Sequence, residues 1–522
     1  MWAQFVPFLF TLWVALVTAD ITTYQPPSIY EVSSVYELLV NDVAVPAVAY
    51  PGYDYAQLSM DEGQNTMFAV TMKDGTAIDS YSITPKSLNI NASVSGDTLS
   101  FSVTKAYYLI LKVNGQKEFV IVADPNETDV PPSSGQGIFN VMDYHADNTG
   151  TSLTSGVQDA LDAADKASGG IVYVPKGVFL VGNIIIPSRT SLYLAGGSVL
   201  RFTGNPADYN QLYNKPGLGP GTWWIQTAIN STDCKIYGRG TIDANGYGYQ
   251  KGKHVAQVIV PVGTKRFIAD GPLIRESSFW TVVPTQSEDV QLLNLKILNR
   301  LDMVQNDGID TVECNGVETR RVIAISNDDS FSAKTWPYDA NDIFSAYPYS
   351  PLPQSNISFT DCVSWTHCYG FKVGQGVYQY QENIVFEDGT VYKGAVGIGI
   401  DHKYGDGVAR NVTWRNIVIE GLGYANLPGV STWLAILIEL DGKSVGPIEN
   451  LLMEDIRIYD LGKTSAPIKG YNSSVLVTNT NLNNIYLNDD TTPTTDMSAL
   501  KILHMHTLDT TLTATSSSAL TG

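Results

Sequence analysis

The stretch Asn383-Ile-Val-Phe-Glu-Asp-Gly-Thr-Val-Tyr392 returns as Asn411-Val-Thr-Trp-Arg-Asn-Ile-Val-Ile-Glu420. The same pattern opens at Asp289, Gly316, Asn356 and Asn450: a polar residue, an alternating apolar pair, a polar corner, a second alternating pair. Alternation at period two is a strand signal. Asn or Asp at the corners suits turns and left-handed backbone. Ser191 to Phe202 and Cys234 to Ala244 fit the same scheme. Several steps are 27 or 28 residues, as in 289 to 316 and 383 to 411. The longer step into Asn356 holds Pro337 to Asp342 and Ser350 to Pro353, which reads as a loop inserted between rungs. Repeats of this size predict a coil in which each turn stacks on the one before. The fold class is therefore all-β, a parallel β-helix; a sandwich with coincidental repeats is the alternative.

Three aspartates sit inside this ladder: Asp307, and the pair Asp328–Asp329 twenty-one residues on. That step is about one turn, so the coil gathers three carboxylates into one patch. Clustered carboxylates raise one another's pKa, and mutual repulsion is expected to keep one protonated near pH 5. One carboxylic acid and one carboxylate are what glycoside hydrolysis needs; inversion wants them about 6.5–9.5 Å apart. Neighbouring rungs about 4.8 Å apart, plus side-chain reach, supply such a gap. Taken alone, Asp328–Asp329 reads better as a solvated turn; the ladder and Asp307 are what favour the catalytic reading.

Length and composition frame the rest. With 522 residues, two domains are expected. Residues 1–19 read as a signal peptide, with an apolar run from Phe5 to Val17 too short to span a bilayer. Residues 20–125 carry short alternating runs and no helical periodicity, and are expected to form a β-sandwich. A Pro-, Ser- and Gly-rich linker occupies 126–137, the β-helix 138–505, and a Ser/Thr-rich tail 506–522, expected to be disordered from Asp509. Val157, Leu161 and Ala164 share a helical face just before the first rungs, so this helix is expected to cap the open end of the coil. Sequons at Asn91, Asn126, Asn230, Asn356, Asn411 and Asn472 agree with a secreted, extracellular glycoprotein. The four cysteines, Cys234, Cys314, Cys362 and Cys368, permit two disulfides, with Cys362–Cys368 the natural local pair. No spacing suggests a metal site, and no cofactor is expected. The net charge of −20 argues against nucleic acid or an anionic membrane as partner. A monomer acting on a polysaccharide is expected.

The cap helix, Gly169-Gly-Ile-Val-Tyr-Val-Pro-Lys-Gly-Val-Phe179, the ladder, Asn306-Asp-Gly-Ile-Asp310 and Asn327-Asp328-Asp329 together resemble the polygalacturonase family of glycoside hydrolases, family 28, over about residues 138 to 460. The resemblance implies a right-handed parallel β-helix that hydrolyses pectic chains with inversion. It makes Asp328 the general acid, and Asp307 and Asp329 the carboxylates that activate water. Departures follow on later rungs. Tyr369 replaces the family's histidine, and His367 lies two residues earlier. Asp401-His402-Lys403 replaces Arg-Ile-Lys, so Lys403 is kept and the carboxylate-gripping arginine is lost. Candidate substrate-binding residues are thus Lys403, His402, Tyr369, Lys372, His367 and Trp336. Trp336 leads the candidate stacking surfaces, ahead of Trp365, Tyr378, Trp433 and the pair Trp223–Trp224.

The N-terminal sandwich and the lost arginine also resemble the fungal dextranases and isopullulanases of family 49, which act on neutral α-glucans. Pectic hydrolysis is the leading reading and neutral α-glucan hydrolysis the second. A calcium-dependent lyase would need a Lys or Arg base. A non-catalytic carbohydrate-binding solenoid would not require the aspartates.

Overall fold

The computed structural model describes residues 19–337, 342–423 and 429–514. The apolar run expected to be a signal peptide lies outside the described residues, as does the tail beyond 514. No helix among the described residues is long and apolar enough to cross a membrane.

Parallel strands coil from Ile138 to Thr513. One side of the coil is a 21-stranded ladder in which each repeat pairs with the next. Asp289, Gly316, Asn356, Asn383, Asn411, Asn450 and Asn479 all have positive φ and stack in one column. A second such column runs through Asn294, Arg321, Asp361, Asp388, Asn416, Asp455 and Asn484. These are the polar corners of the repeat. Left-handed backbone is costly for most residues and least so for Gly, Asn and Asp. The asparagines also bond to one another between rungs: Asn411 Nδ2 donates to Asn383 Oδ1 at 3.1 Å, and Asn479 Nδ2 to Asn450 Oδ1 at 2.8 Å. Inside, apolar residues stack in files, such as Phe359–Phe386 at 5.1 Å and Phe386–Trp414 at 5.8 Å between centroids. The helix Gly156–Lys166 buries Val157, Ala160, Leu161 and Ala164 against the first rungs. The result is an all-β protein built on a right-handed parallel β-helix.

A second side of the coil is a seven-stranded parallel sheet that includes Ile309–Val312, Phe331–Thr335, Tyr369–Val377, Val396–Tyr404 and Thr432–Ile438. The functional candidates lie on it. The N-terminal residues form a six-stranded and a five-stranded sheet around their own core of Tyr36, Phe68, Phe101 and Phe119. The outer side of this pair packs on the coil through Tyr50, Tyr53 and Tyr55, which meet Ile323, Ile325 and Trp365. Fully buried Lys296 pairs with Asp124 across this seam, and Tyr53 donates to the Asn299 carbonyl at 2.9 Å.

Three expectations are corrected. The coil does not end at 505: Thr507–Thr513 is a strand paired with Val477–Leu487, so Asp509 to Thr513 is ordered. Threonine is a good strand residue, and Thr511 Oγ1 also bonds Asn481 Oδ1 at 2.8 Å. The four cysteines are free and buried. Cys362 faces the core of the ladder, whereas Cys368 belongs to a separate cluster at the start of the neighbouring sheet, so the short sequence separation does not bring them to one face. Trp365, Trp433 and Trp224 are not sugar-stacking surfaces. Trp365 lies in the seam with the N-terminal sheets, while Trp433 Nε1 donates to the Leu500 carbonyl and Trp224 Nε1 to the Gly182 carbonyl from within the core.

Candidate active site

The rung step at the aspartates is twenty-two residues, because Ile309 pairs with Phe331. Gly308 N–H donates to the Asp329 carbonyl at 2.9 Å. Asp307 therefore stacks on Asp329, and Asn306 on Asp328. A Cβ at Gly308 would lie 2.4 Å from the Ser330 carbonyl oxygen, so only glycine lets these two rungs close. Phe331 pairs in turn with Phe371, which sets Tyr369 beside Asp329 on the next rung. The backbone here is pinned by side chains. Asn306 Oδ1 accepts from Asn327 N–H at 2.7 Å, and Asn306 Nδ2 donates to the Arg300 carbonyl at 2.7 Å. The Ser326 and Thr366 hydroxyls both donate to the Asp328 carbonyl at 2.6 Å.

Across the sheet surface the side chains form a row of alternating charge. Lys334 Nζ lies 2.7 Å from Asp310 and 3.4 Å from Asp307. Lys372 Nζ lies 2.9 Å from Asp329 and 4.0 Å from Asp401, and Lys403 Nζ lies 3.4 Å from the same Asp401 oxygen. Asp307, Asp310, Asp329, Lys334, Lys372 and Asp401 are all buried, while Asp328 is half-buried and closer to solvent. Towards the amino-terminal rungs the outer face is covered by an apolar cluster including Trp223, Phe279, Trp280, Phe344 and Tyr347. Lys334 Nζ rests 4.2 Å from the Trp280 ring centroid. A groove of about 710 Å³ on the ladder side, lined by Lys235, Arg266 and Glu318, contains none of these groups.

This environment drives the carboxyls apart. Burial raises Asp328, and the neighbouring Asp329 raises it further. Burial also acts on Asp329, but Lys372 and Lys334 outweigh it and hold that carboxyl below its ordinary range. Asp307 is pushed well above its ordinary value, first by burial and then by Asp310 and Asp328. Asp310 is raised to about 6 by burial, with Lys334 opposing. Desolvation, rather than the mutual repulsion expected from the sequence, is the leading cause at Asp328 and Asp307. Burial would discharge Lys372, yet Asp329 and Asp401 keep it charged.

Of the candidate binding residues, Lys372 and Tyr369 stand beside Asp329: Tyr369 N–H lies 3.4 Å from Asp329 Oδ1, and Lys372 Nζ lies 4.6 Å from the Tyr369 ring centroid. His367 is half-buried near Asp328, with Nδ1 3.3 Å from Asn327 Nδ2 and its pKa lowered by burial. Lys403 and Trp336 are half-buried at the far ends of their strands. Trp336 stacks on Phe344 at 4.8 Å and lies 5.6 Å from Tyr404 between centroids. His402 does not belong among them. It is fully buried, its Nε2 meets the Gly405 carbonyl at 2.9 Å, and burial pushes its pKa down to about 4. Period two explains this, since Ile400 faces the core and His402 follows two residues later. Sequence reasoning missed Lys334 and gave Asp310 no role. The signal was present: Ser332 and Lys334 alternate with the core residues Phe331 and Ala333, which puts a lysine on the aspartate face.

Asp328, Asp329 and Cys368 bring ligand atoms within 4.8 Å of one another, the one such trio among the described residues. Burial and the two carboxylates hold the Cys368 thiol well above its ordinary pKa, so it offers a neutral S–H rather than a thiolate.

No family model matches the sequence. Two relatives are an exo-poly-α-D-galacturonosidase of Dickeya chrysanthemi, 30% identical over 135 residues (24% of this chain, 22% of the relative), and a probable polygalacturonase of Vitis vinifera, 22% identical over 302 residues (54% and 60%). The chain thus matches less than two thirds of the length of either. Among solved structures, an exopolygalacturonase of Thermotoga maritima superposes with a TM-score of 0.59 at 17% identity, covering 74% of this chain and 93% of the other. A family 28 exopolygalacturonase of Yersinia enterocolitica gives 0.52 at 16% identity over 90% and 98%. The Dex49A protein of Penicillium minioluteum gives 0.53 at 12% identity over 89% and 90%. These structural likenesses establish the β-helix fold.

Proposed function

We propose that this chain, which resembles glycoside hydrolase family 28 in sequence and fold, is an inverting hydrolase of a pectic polysaccharide. One observation carries the reading. Two adjacent carboxyls are driven in opposite directions, Asp328 raised and half-buried, Asp329 lowered by Lys372. Asp328 then donates the proton to the departing glycosidic oxygen. Asp329 takes a proton from the attacking water. Asp307, its carboxyl raised by burial and lying 3.4 Å from Lys334, orients that water rather than deprotonating it. The likeness to polygalacturonases supports a pectic chain as substrate, and action on such a polymer supports a location outside the cell. Lys403, Trp336 and His367, each half-buried, are assigned to substrate contact, with Tyr369 buried beside Asp329.

Hydrolysis of a neutral α-glucan is the second reading, favoured by the ion-pairing of Asp401 with both lysines where a uronate-binding arginine is otherwise expected. Reducing-sugar release from polygalacturonate, rhamnogalacturonan, xylogalacturonan, dextran and pullulan separates the two. Release from a pectic member supports the first reading, release from the glucans alone supports the second, and release from none contradicts both.

A further inference from the structure

Recognising a uronate takes a cation whose charge the protein has not already spent. Around Asp328 and Asp329 the structure provides three lysines, and each is committed. Lys334 is held between Asp310 and Asp307, at 2.7 and 3.4 Å. Lys372 is held between Asp329 and Asp401, at 2.9 and 4.0 Å. Lys403, the most accessible of the three, sits 3.4 Å from Asp401. His402 is buried against the Gly405 carbonyl and neutral above about pH 4, and burial lowers His367 as well. Asp401 therefore lies between two ammonium groups and attenuates both. Its own Oδ1 is buried and finds no donor among the described residues. A carboxylate brought in beside Lys403 would meet Asp401 at close range. A hydroxyl brought to the same place would give Oδ1 the hydrogen bond it lacks.

We infer that Asp401 makes this a hydroxyl-recognising subsite, and that the sugar bound there carries no free carboxylate: it is an esterified uronate or a neutral residue. The inference rests on the hydrolase reading above and narrows its substrate. In polar terms the site trades a charge-charge contact for a charged acceptor matched to an O–H donor. Asp401 is thus a specificity-determining residue, and the Lys372 charge serves Asp329 rather than the substrate.

The test is a binding comparison on the Asp328→Asn protein, which avoids turnover. Short galacturonate oligomers and their methyl esters are titrated calorimetrically. The expected result is at least tenfold tighter binding of the ester. Asp401→Asn in the same background releases Lys403 while Asp329 still holds Lys372, and the ratio is expected to fall towards or below one. Equal or tighter binding of the free acid by the Asp401-containing protein overturns the inference. So does an unchanged ratio in the Asp401→Asn variant, or binding of neither galacturonate probe nor a neutral α-glucan oligomer. Cleavage by the wild-type chain is scored separately: absence of any reducing-sugar release defeats the hydrolase reading, whatever the binding ratio.

Discussion

Replacing Lys372 with Met removes the ammonium that keeps Asp329 ionised while keeping most of the side-chain volume. At 2.9 Å the two charges attract by about 6 kcal/mol at an effective dielectric of about 20. Asp401 at 4.0 Å shares the same ammonium, and burying it has a cost, so part of that attraction is already offset. Retaining half, about 3 kcal/mol, raises Asp329 by about 2 pKa units when the lysine is lost. Asp329 is the group that must be ionised, so it sets the acidic limb of kcat/KM, and that limb moves up by about 2 units. One unit above the wild-type limb, the variant then keeps roughly a tenth of wild-type kcat/KM. The assay is a pH series of initial rates on the preferred glycan, with Lys372→Arg as a charge-preserving control and thermal melts to confirm folding. An acidic limb unmoved in a folded Lys372→Met protein refutes the assignment of Asp329 as the ionised base held by Lys372.

Other outcomes follow from the same geometry. Asp310 has a folded pKa of about 6, above its unfolded value, so its contribution to stability is complete below about pH 4 and is lost as pH rises through 6. A shift of about 2 units corresponds to roughly 3 kcal/mol, and Asp310→Asn should flatten the fall in urea-unfolding free energy between about pH 4.5 and 7.5 by an amount of that order; an unchanged slope contradicts it. Early-time NMR of the released sugar should show the inverted anomer, and net retention would make one carboxyl a nucleophile instead. Thiol titration of the denatured, unreduced chain should count all four cysteines, where two disulfides would leave none.

Much of the fold was legible because the coil's corners are written in residue types. A left-handed residue must recur once per turn, and Asn, Asp or Gly recurs there from Asp289 to Asn479. Period two between corners gave the strands. The length of a turn was less legible: twenty-one residues fit the motif spacing, yet the register is twenty-two and puts Asp307 over Asp329. Repeat spacing does not reveal a one-residue difference at a corner, and that difference decides which carboxyls touch. The aspartates themselves stood out, but the lysines' hold on their charge did not. Lys334 drew no reading and Lys372 read as a substrate-binding candidate rather than the partner of Asp329, since nothing in the sequence shows that the Trp280 and Phe344 cluster shields one end of this face. Trp365 was misjudged for a related reason. An outward aromatic on a β-helix is normally exposed, and here the N-terminal sheets cover it.

The most direct measurement is turnover by Asp328→Asn. The side chain keeps its shape and loses its proton, and the Ser326 and Thr366 bonds to the Asp328 carbonyl are untouched. If Asp328 is the general acid, kcat on the preferred glycan falls by about 10²- to 10⁴-fold. The melting temperature is expected to stay at or above the wild-type value, because a half-buried carboxyl with a raised pKa does not stabilise the fold as pH rises. A folded Asp328→Asn protein with wild-type turnover would contradict the account at its centre.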